Sequence, residues 1–123
     1  MANKKVVFVA FAIEDERQRD FLKGQSLNTN CPFEYIDMSV KEAYESDWKN
    51  KVATRIRRSD GVIALISSNS LKSTGQKYEI QCAKDEKKPL RGIWAYTNDR
   101  TNVEGLNTTV WTWDNIAKWI DSL

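Results

Sequence analysis

The segment from Gly61 to Tyr96 places the tightest limit on the fold of this chain. It predicts a buried strand, a polar loop, a helix and a second buried strand in direct succession. The first strand, VIALIS, is apolar at every position but the last. Continuous apolar runs of this length are typical of strands covered on both faces, as in a parallel sheet. Parallel strands need crossover helices, so this segment alone predicts an α/β fold.

The rest of the chain repeats the same alternation. We predict strands at 6–11, 33–38, 62–67, 90–96 and 109–112, and helices at 14–23, 47–58, 76–88 and from a cap at Asp114 onward. Five βα units at this spacing predict a five-stranded parallel sheet, order 2-1-3-4-5, with helices on both faces. Phe21 and Leu22 are expected to anchor the first helix, and Trp111 and Trp113 to alternate on the last strand. A chain of 123 residues without a linker is expected to form one domain, 1–123.

Several classes of chemistry are excluded by residues that the chain lacks. It contains no histidine, which excludes Ser-His-Asp and Cys-His catalysis and histidine-ligated metals. The two cysteines, Cys31 and Cys82, cannot build a zinc site alone, so no metal site is expected. The turn after the first strand reads AFAIEDE, without the glycines of a dinucleotide-binding fingerprint, and the P-loop pattern is missing as well. Any catalysis must therefore use carboxylates, hydroxyls, amines or backbone groups.

Charge and hydropathy predict a cytoplasmic protein. A net charge of +2 is too small to indicate a nucleic-acid partner. The apolar run VVFVAFAI is too short to span a membrane, and acidic residues rather than a cleavage site follow it. We therefore expect no nucleic-acid or membrane partner and reduced cysteines.

Glu79 is the first candidate for a functional residue. It is predicted to lie near the start of the helix after the third strand, and ligands of open α/β sheets bind outside the carboxyl ends of the strands. Two interpretations stay open. Glu79 is either a carboxylate aimed at a ligand or a first-turn acid that the helix dipole stabilises by ~0.3–1 kcal/mol regardless of function.

Residues at the ends of the predicted strands complete the candidate site: Phe11 at the end of the first strand, Asp37 and Ser39 at the end of the second, and Ser67 and Asn69 at the end of the third. Each has a structural alternative. The aromatic ring at a strand end is more often a core residue, and aspartate, serine and asparagine are common turn formers.

Four segments resemble the short prokaryotic TIR-like family, which includes the TIR proteins of Thoeris anti-phage systems. They are VFVAF with an acidic helix start, YIDMS, DWKNKVATRIRRSDGVIALISSNS and KYEIQCAKDEKKPLRGIWA, in this order over nearly the whole chain. The resemblance implies a flavodoxin-like TIR fold and cleavage of the nicotinamide–ribose bond of NAD+, which is a substrate and not a cofactor. The product is ADP-ribose or a cyclised form. The catalytic glutamate of the family lies near the start of the helix after the third strand, a position that Glu79 matches.

The resemblance also implies the partners, and it suggests NAD+ as the ligand of the residues at the strand ends. Phe11, Asp37, Ser39, Ser67, Asn69 and Tyr78 are expected to bind the substrate. Many bacterial TIR NADases carry a tryptophan four residues before the glutamate, where this chain has Gly75, and Tyr78 is the candidate to compensate. Homo-association on activation is expected, and the product is expected to act on a separate effector protein in anti-phage defence.

Two alternatives to NAD+ cleavage remain. A non-catalytic TIR-like interaction module would signal by docking, and Gly75 in place of tryptophan is its best support. The helix containing Glu79 is also similar to that of nucleoside deoxyribosyltransferases, which would exchange bases on free nucleosides. A phosphorelay receiver is not expected, because Ser67 stands where a receiver needs its phosphoacceptor aspartate.

Overall fold

The computed structural model describes residues 5–26, 33–36 and 48–123. Its strands are β1 (Lys5–Ala10), β2 (Phe33–Ile36), β3 (Gly61–Ile66), β4 (Leu90–Trp94) and β5 (Thr108–Thr109). Its helices are α1 (Glu16–Ser26), α2 (Trp48–Arg58), α3 (Thr74–Asp85) and α4 (Trp113–Asp121). Short 3₁₀ turns follow β1 at Ile13–Asp15 and β3 at Ser68–Leu71.

The strands pair in parallel, in the spatial order β2-β1-β3-β4-β5. The central pair runs in register from Val7 opposite Gly61 to Ala10 opposite Ala64. Four strands have four to six residues each, whereas β5 contributes only Thr108 and Thr109 to the sheet. The predicted α/β class with a parallel sheet is confirmed.

Helices cover both faces of this sheet because successive residues of the central strands point to opposite sides. On one face, Val7 and Ile63 pack with Leu22 of α1 and with apolar residues of α4, namely Ile116, Trp119 and Ile120. On the other face, Phe8 and Ala64 pack with residues of α2 and α3, namely Val52, Ile56, Ile80 and Ala83. None of the helices in residues 5–26 and 48–123 has the length and apolar character needed to span a bilayer.

Helix α3 begins two residues earlier than the sequence predicts. The hydroxyl of Ser73 accepts a hydrogen bond from the backbone N–H of Gln76 at 3.1 Å, which makes Ser73 the N-cap. The helix therefore begins at Thr74, and Glu79 lies in its second turn.

Predicted details of α4 and α1 are also wrong. Helix α4 is capped by Thr112, whose hydroxyl accepts from the N–H of Asn115, and not by Asp114. Because this cap starts the helix at Trp113, that tryptophan does not alternate with Trp111 on a strand. Phe21 is 59% exposed, since only its neighbour Leu22 lies on the inward stripe of α1.

Candidate active site

Glu79 is sealed inside the protein at the end of the central strands. Its side chain is only 2% exposed. The carboxyl group lies beside the backbone N–H of Phe11, the residue directly after β1, which favours its charged form. Its Oε1 atom has no hydrogen-bond donor among the described residues. The carboxyl group thus lies near the β1–β3 boundary, where the strand order reverses and where open α/β sheets bind their ligands.

Burial raises the pKa of Glu79 well above its ordinary value, because desolvation penalises the charged form. The N–H of Phe11 favours the carboxylate and offsets only part of this effect. A buried carboxyl group with one unmatched oxygen costs folding free energy. Packing alone therefore gives no reason for a glutamate at this position.

The helix-dipole interpretation of Glu79 does not fit this geometry. The attraction between a carboxylate and a helix N-terminus falls off within the first turn. Glu79 lies in the second turn of α3, and the first turn contains no acidic residue. The electrostatic benefit expected of a first-turn acid is therefore lacking for Glu79.

Gln76, one turn before Glu79, ties α3 to both central strands. Its Nε2 donates hydrogen bonds to the carbonyl oxygens of Ala10, at 3.1 Å, and Leu65, at 2.7 Å. The side chain is 1% exposed, and its Oε1 has no donor in the described part of the chain. Two unmatched buried acceptors thus lie one helical turn apart. Gln76 is not among the residues predicted from the sequence, although two polar residues spaced i, i+3 beside the apolar Ile80 were an available signal.

Asp15 is the centre of a second polar cluster, the Asp15 cluster, which also contains Ser67, Asn69 and Tyr96. One carboxylate oxygen accepts from the Ser67 hydroxyl at 2.6 Å. The other accepts from the Asn69 amide at 3.0 Å and the Tyr96 hydroxyl at 2.8 Å. Asp15 has no exposed surface, so these bonds join the connections after β1, β3 and β4 in the protein interior.

Two residues predicted as substrate ligands belong to the Asp15 cluster. Ser67 and Asn69 lie at the expected edge of the sheet, but their side chains bind Asp15. The Ser67 hydroxyl makes two hydrogen bonds, because it also accepts one from the backbone N–H of Asn69 at 3.1 Å. Both residues therefore stabilise the loop after β3.

The other predicted residues are dispersed. The Phe11 ring is buried in the core beneath α1, with the Arg19 guanidinium 4.8 Å from its centroid, so only its backbone meets Glu79. The Tyr78 ring packs toward α2, where its hydroxyl donates to the carbonyl of Lys49 at 3.3 Å. Asp37 and Ser39 lie outside the described residues. Within the described ranges, no three histidine, cysteine, aspartate or glutamate side chains are grouped as metal ligands would be.

Residues 8–100 of the chain match the family model described as "Thoeris protein ThsB, TIR-like domain". This match covers 93 of the 123 residues and includes Glu79, Gln76 and the whole Asp15 cluster. No individual curated protein matches the chain.

Proposed function

We propose a function from the premise that this chain belongs to the Thoeris ThsB family of TIR-like domains. The proposed reaction is cleavage of the nicotinamide–ribose bond of NAD+, with Glu79 as the catalytic carboxylate. The family is consistent with anti-phage defence. The observation that carries the proposal is the buried carboxyl group of Glu79, which has one unmatched oxygen at the carboxyl edge of the sheet.

The chemistry of NAD+ cleavage suits a single carboxyl group in an apolar setting. Nicotinamide leaves as a neutral molecule, so no general acid has to protonate it. The absence of histidine from this chain is therefore no obstacle to this step. Positive charge develops on the ribosyl carbon, where a carboxylate stabilises an oxocarbenium-like transition state. A cationic substrate beside Glu79 also lowers the pKa of its carboxyl group, because a nearby positive charge favours the ionised form.

Gln76 supports this assignment as a substrate-binding residue. Its Nε2 is held by the carbonyls of Ala10 and Leu65, which orients the unmatched Oε1. We assign this oxygen the role of accepting a hydrogen bond from a ribose hydroxyl. Substrate access requires neighbouring segments to move, since both Glu79 and Gln76 are almost completely buried.

We propose homo-association as the event that opens the site, and a separate effector protein as the receiver of the product. Water entering the opened site would give ADP-ribose, and attack by a base nitrogen would give a cyclic product. The exclusion of water decides between the two.

The test is nicotinamide release from NAD+ at high protein concentration, with and without lysate from phage-infected cells. We expect release by the parent protein and a loss of at least about 100-fold in Glu79→Gln. Glu104→Gln is the matched control, because it neutralises an exposed glutamate outside the site and should retain parental activity. Thermal unfolding confirms that both variants are folded. Equal release by Glu79→Gln and the parent would refute the catalytic role.

A docking module is the second candidate, and one observation favours it. Gly75 supplies no aromatic ring one turn before Glu79, where many bacterial TIR NADases carry a tryptophan. Absence of nicotinamide release under both conditions would favour this candidate over the enzyme.

A further inference from the structure

A cavity of about 440 Å³ opens beyond the C-terminal end of β4, between α1 and the connection from β5 to α4. Its walls include four aromatic side chains, one aliphatic side chain and one cation: Phe21, Trp94, Tyr96, Trp111, Val110 and Arg100. We call it the β4 cavity. No residue of α3 lines it, so neither Glu79 nor Gln76 belongs to it.

The apolar walls of the β4 cavity are unusually exposed. Phe21 is 59% exposed and Val110 is 44% exposed. A single exposed apolar side chain is normal on a protein surface. Here two of them line the same cavity as Trp94 and Trp111, which makes it a concave apolar surface of the kind that binds small molecules.

Arg100 supplies an oriented positive charge. Its Nη1 donates to the carbonyl of Tyr96 at 3.2 Å, and its guanidinium lies 4.9 Å from the centroid of the Trp94 ring. In the described part of the chain Arg100 has no carboxylate partner. The adjacent Asp99 is engaged elsewhere, because its oxygens accept from Ser68 and Thr101. The remaining N–H groups of Arg100 are therefore available to an anionic ligand.

The walls are held by hydrogen bonds, two of which reach distant parts of the chain. The Tyr96 hydroxyl donates to Asp15, and the Trp94 indole N–H donates to the carbonyl of Thr101 at 2.9 Å. The Gln18 amide donates to the carbonyl of Ala95 at 2.8 Å. Rigid walls lose little conformational entropy when a ligand binds, so the cavity is preorganised.

We propose that the β4 cavity binds a nucleotide, with the planar base stacked on its aromatic walls and the phosphate paired with Arg100. Its volume lies in the range of small-molecule sites, and stacking on aromatic rings suits any base. Val110 and Trp111 lie beyond residue 100, where the family match ends. The proposal goes beyond the NAD+ reaction, since it does not depend on Glu79 being catalytic.

The experiment is a titration of the full chain with AMP, followed by the indole N–H signals of the five tryptophans in ¹H–¹⁵N NMR spectra. We expect saturable shifts of the Trp94 and Trp111 signals. The signal of Trp119, which is buried in the core, should stay in place. Adenosine and inorganic phosphate are titrated separately, and each should bind more weakly than AMP.

Two variants test the two halves of the site. Arg100→Ala should weaken AMP binding about tenfold and leave adenosine binding unchanged, because adenosine has no phosphate for Arg100 to pair with. Phe21→Ser should weaken the binding of both ligands. The controls are Arg58→Ala and Leu71→Ser, which remove an exposed cation and an exposed apolar side chain away from the cavity and should bind as the parent does.

Three results would overturn the proposal. It fails if AMP produces no saturable shift, or if Arg100→Ala binds AMP as tightly as the parent does. It also fails if the shifts disappear in Glu79→Gln, because AMP would then bind at the other site. Absence of nicotinamide release from NAD+ would refute the proposed enzyme and leave the nucleotide site standing.

Discussion

The backbone N–H of Phe11, at the end of β1, lies beside the carboxyl group of Glu79 in the second turn of α3 and favours its charged form. This contact places a titratable group at the edge of the two central strands. It also separates two functions of Phe11, whose ring fills the core while its main chain orients the candidate catalytic group.

The first prediction concerns the pH dependence of stability. Because the pKa of Glu79 is raised on folding, its contribution is fully present below the ordinary value of 4.5 and is lost as the pH rises toward the folded-state pKa. In that window the parent should lose about 1.4 kcal/mol of stability per pH unit relative to Glu79→Gln. Urea unfolding of both proteins between pH 4 and 9 measures the difference. A difference that does not change with pH would contradict the prediction.

The second prediction concerns Gln76. Gln76→Leu keeps most of the side-chain volume but leaves the carbonyls of Ala10 and Leu65 without this donor, so we expect a loss of about 1–3 kcal/mol. Gln81→Leu is the control, because it removes an exposed amide of the same helix whose bond to Asp85 lies at the surface. Equal unfolding midpoints for the two variants would show that Gln76 does not brace the strands.

The third prediction concerns the Asp15 cluster. Asp15→Ala leaves the donors of Ser67, Asn69 and Tyr96 without their acceptor, and it should destabilise the protein by at least about 2 kcal/mol. Glu14→Ala, one residue earlier and exposed, should change stability by less than about 0.5 kcal/mol. The measurement is the free energy of unfolding in urea.

A double-mutant cycle tests whether the cluster acts as a unit. The effects of Asp15→Ala and Ser67→Ala should not be additive, because each substitution removes the same hydrogen bond. Strict additivity would show that the two side chains do not interact.

The fourth prediction compares two glycines. A Cβ atom at Gly61 would lie 2.9 Å from the Trp119 ring and 3.0 Å from Leu123, so Gly61→Ala should push α4 outward and cost about 1–3 kcal/mol. Gly24 in α1 has no atom within 4 Å of such a Cβ, so Gly24→Ala should stabilise the protein by up to about 1 kcal/mol. Thermal unfolding of both variants gives the signs, and the same sign for both would refute the argument.

Some features of this structure can be predicted from the sequence and others cannot, for physical reasons. The apolar runs of β1 and β3 and the spacing of Val52 and Ile56 depend on local periodicity, and they predict the strands and the helix that the structure contains. The burial of the Asp15 side chain cannot be predicted in this way. Glu14, Asp15 and Glu16 are three consecutive acids, and no local signal tells which of them will be buried. Likewise, no local signal tells which of the neighbours Phe21 and Leu22 will face the core.

The amino-acid sequence by itself determined the α/β class, the exclusion of histidine chemistry and the place of Glu79 on the helix after β3. Each of these depends on residue types or on spacing along one segment. The tertiary structure alone decided that Ser67 and Asn69 bind Asp15, that Glu79 is sealed from solvent, and that Tyr96 and Arg100 share a cavity with Phe21. Asp15 and Tyr96 are 81 positions apart, and such contacts form only when packing of the sheet brings distant loops to one edge.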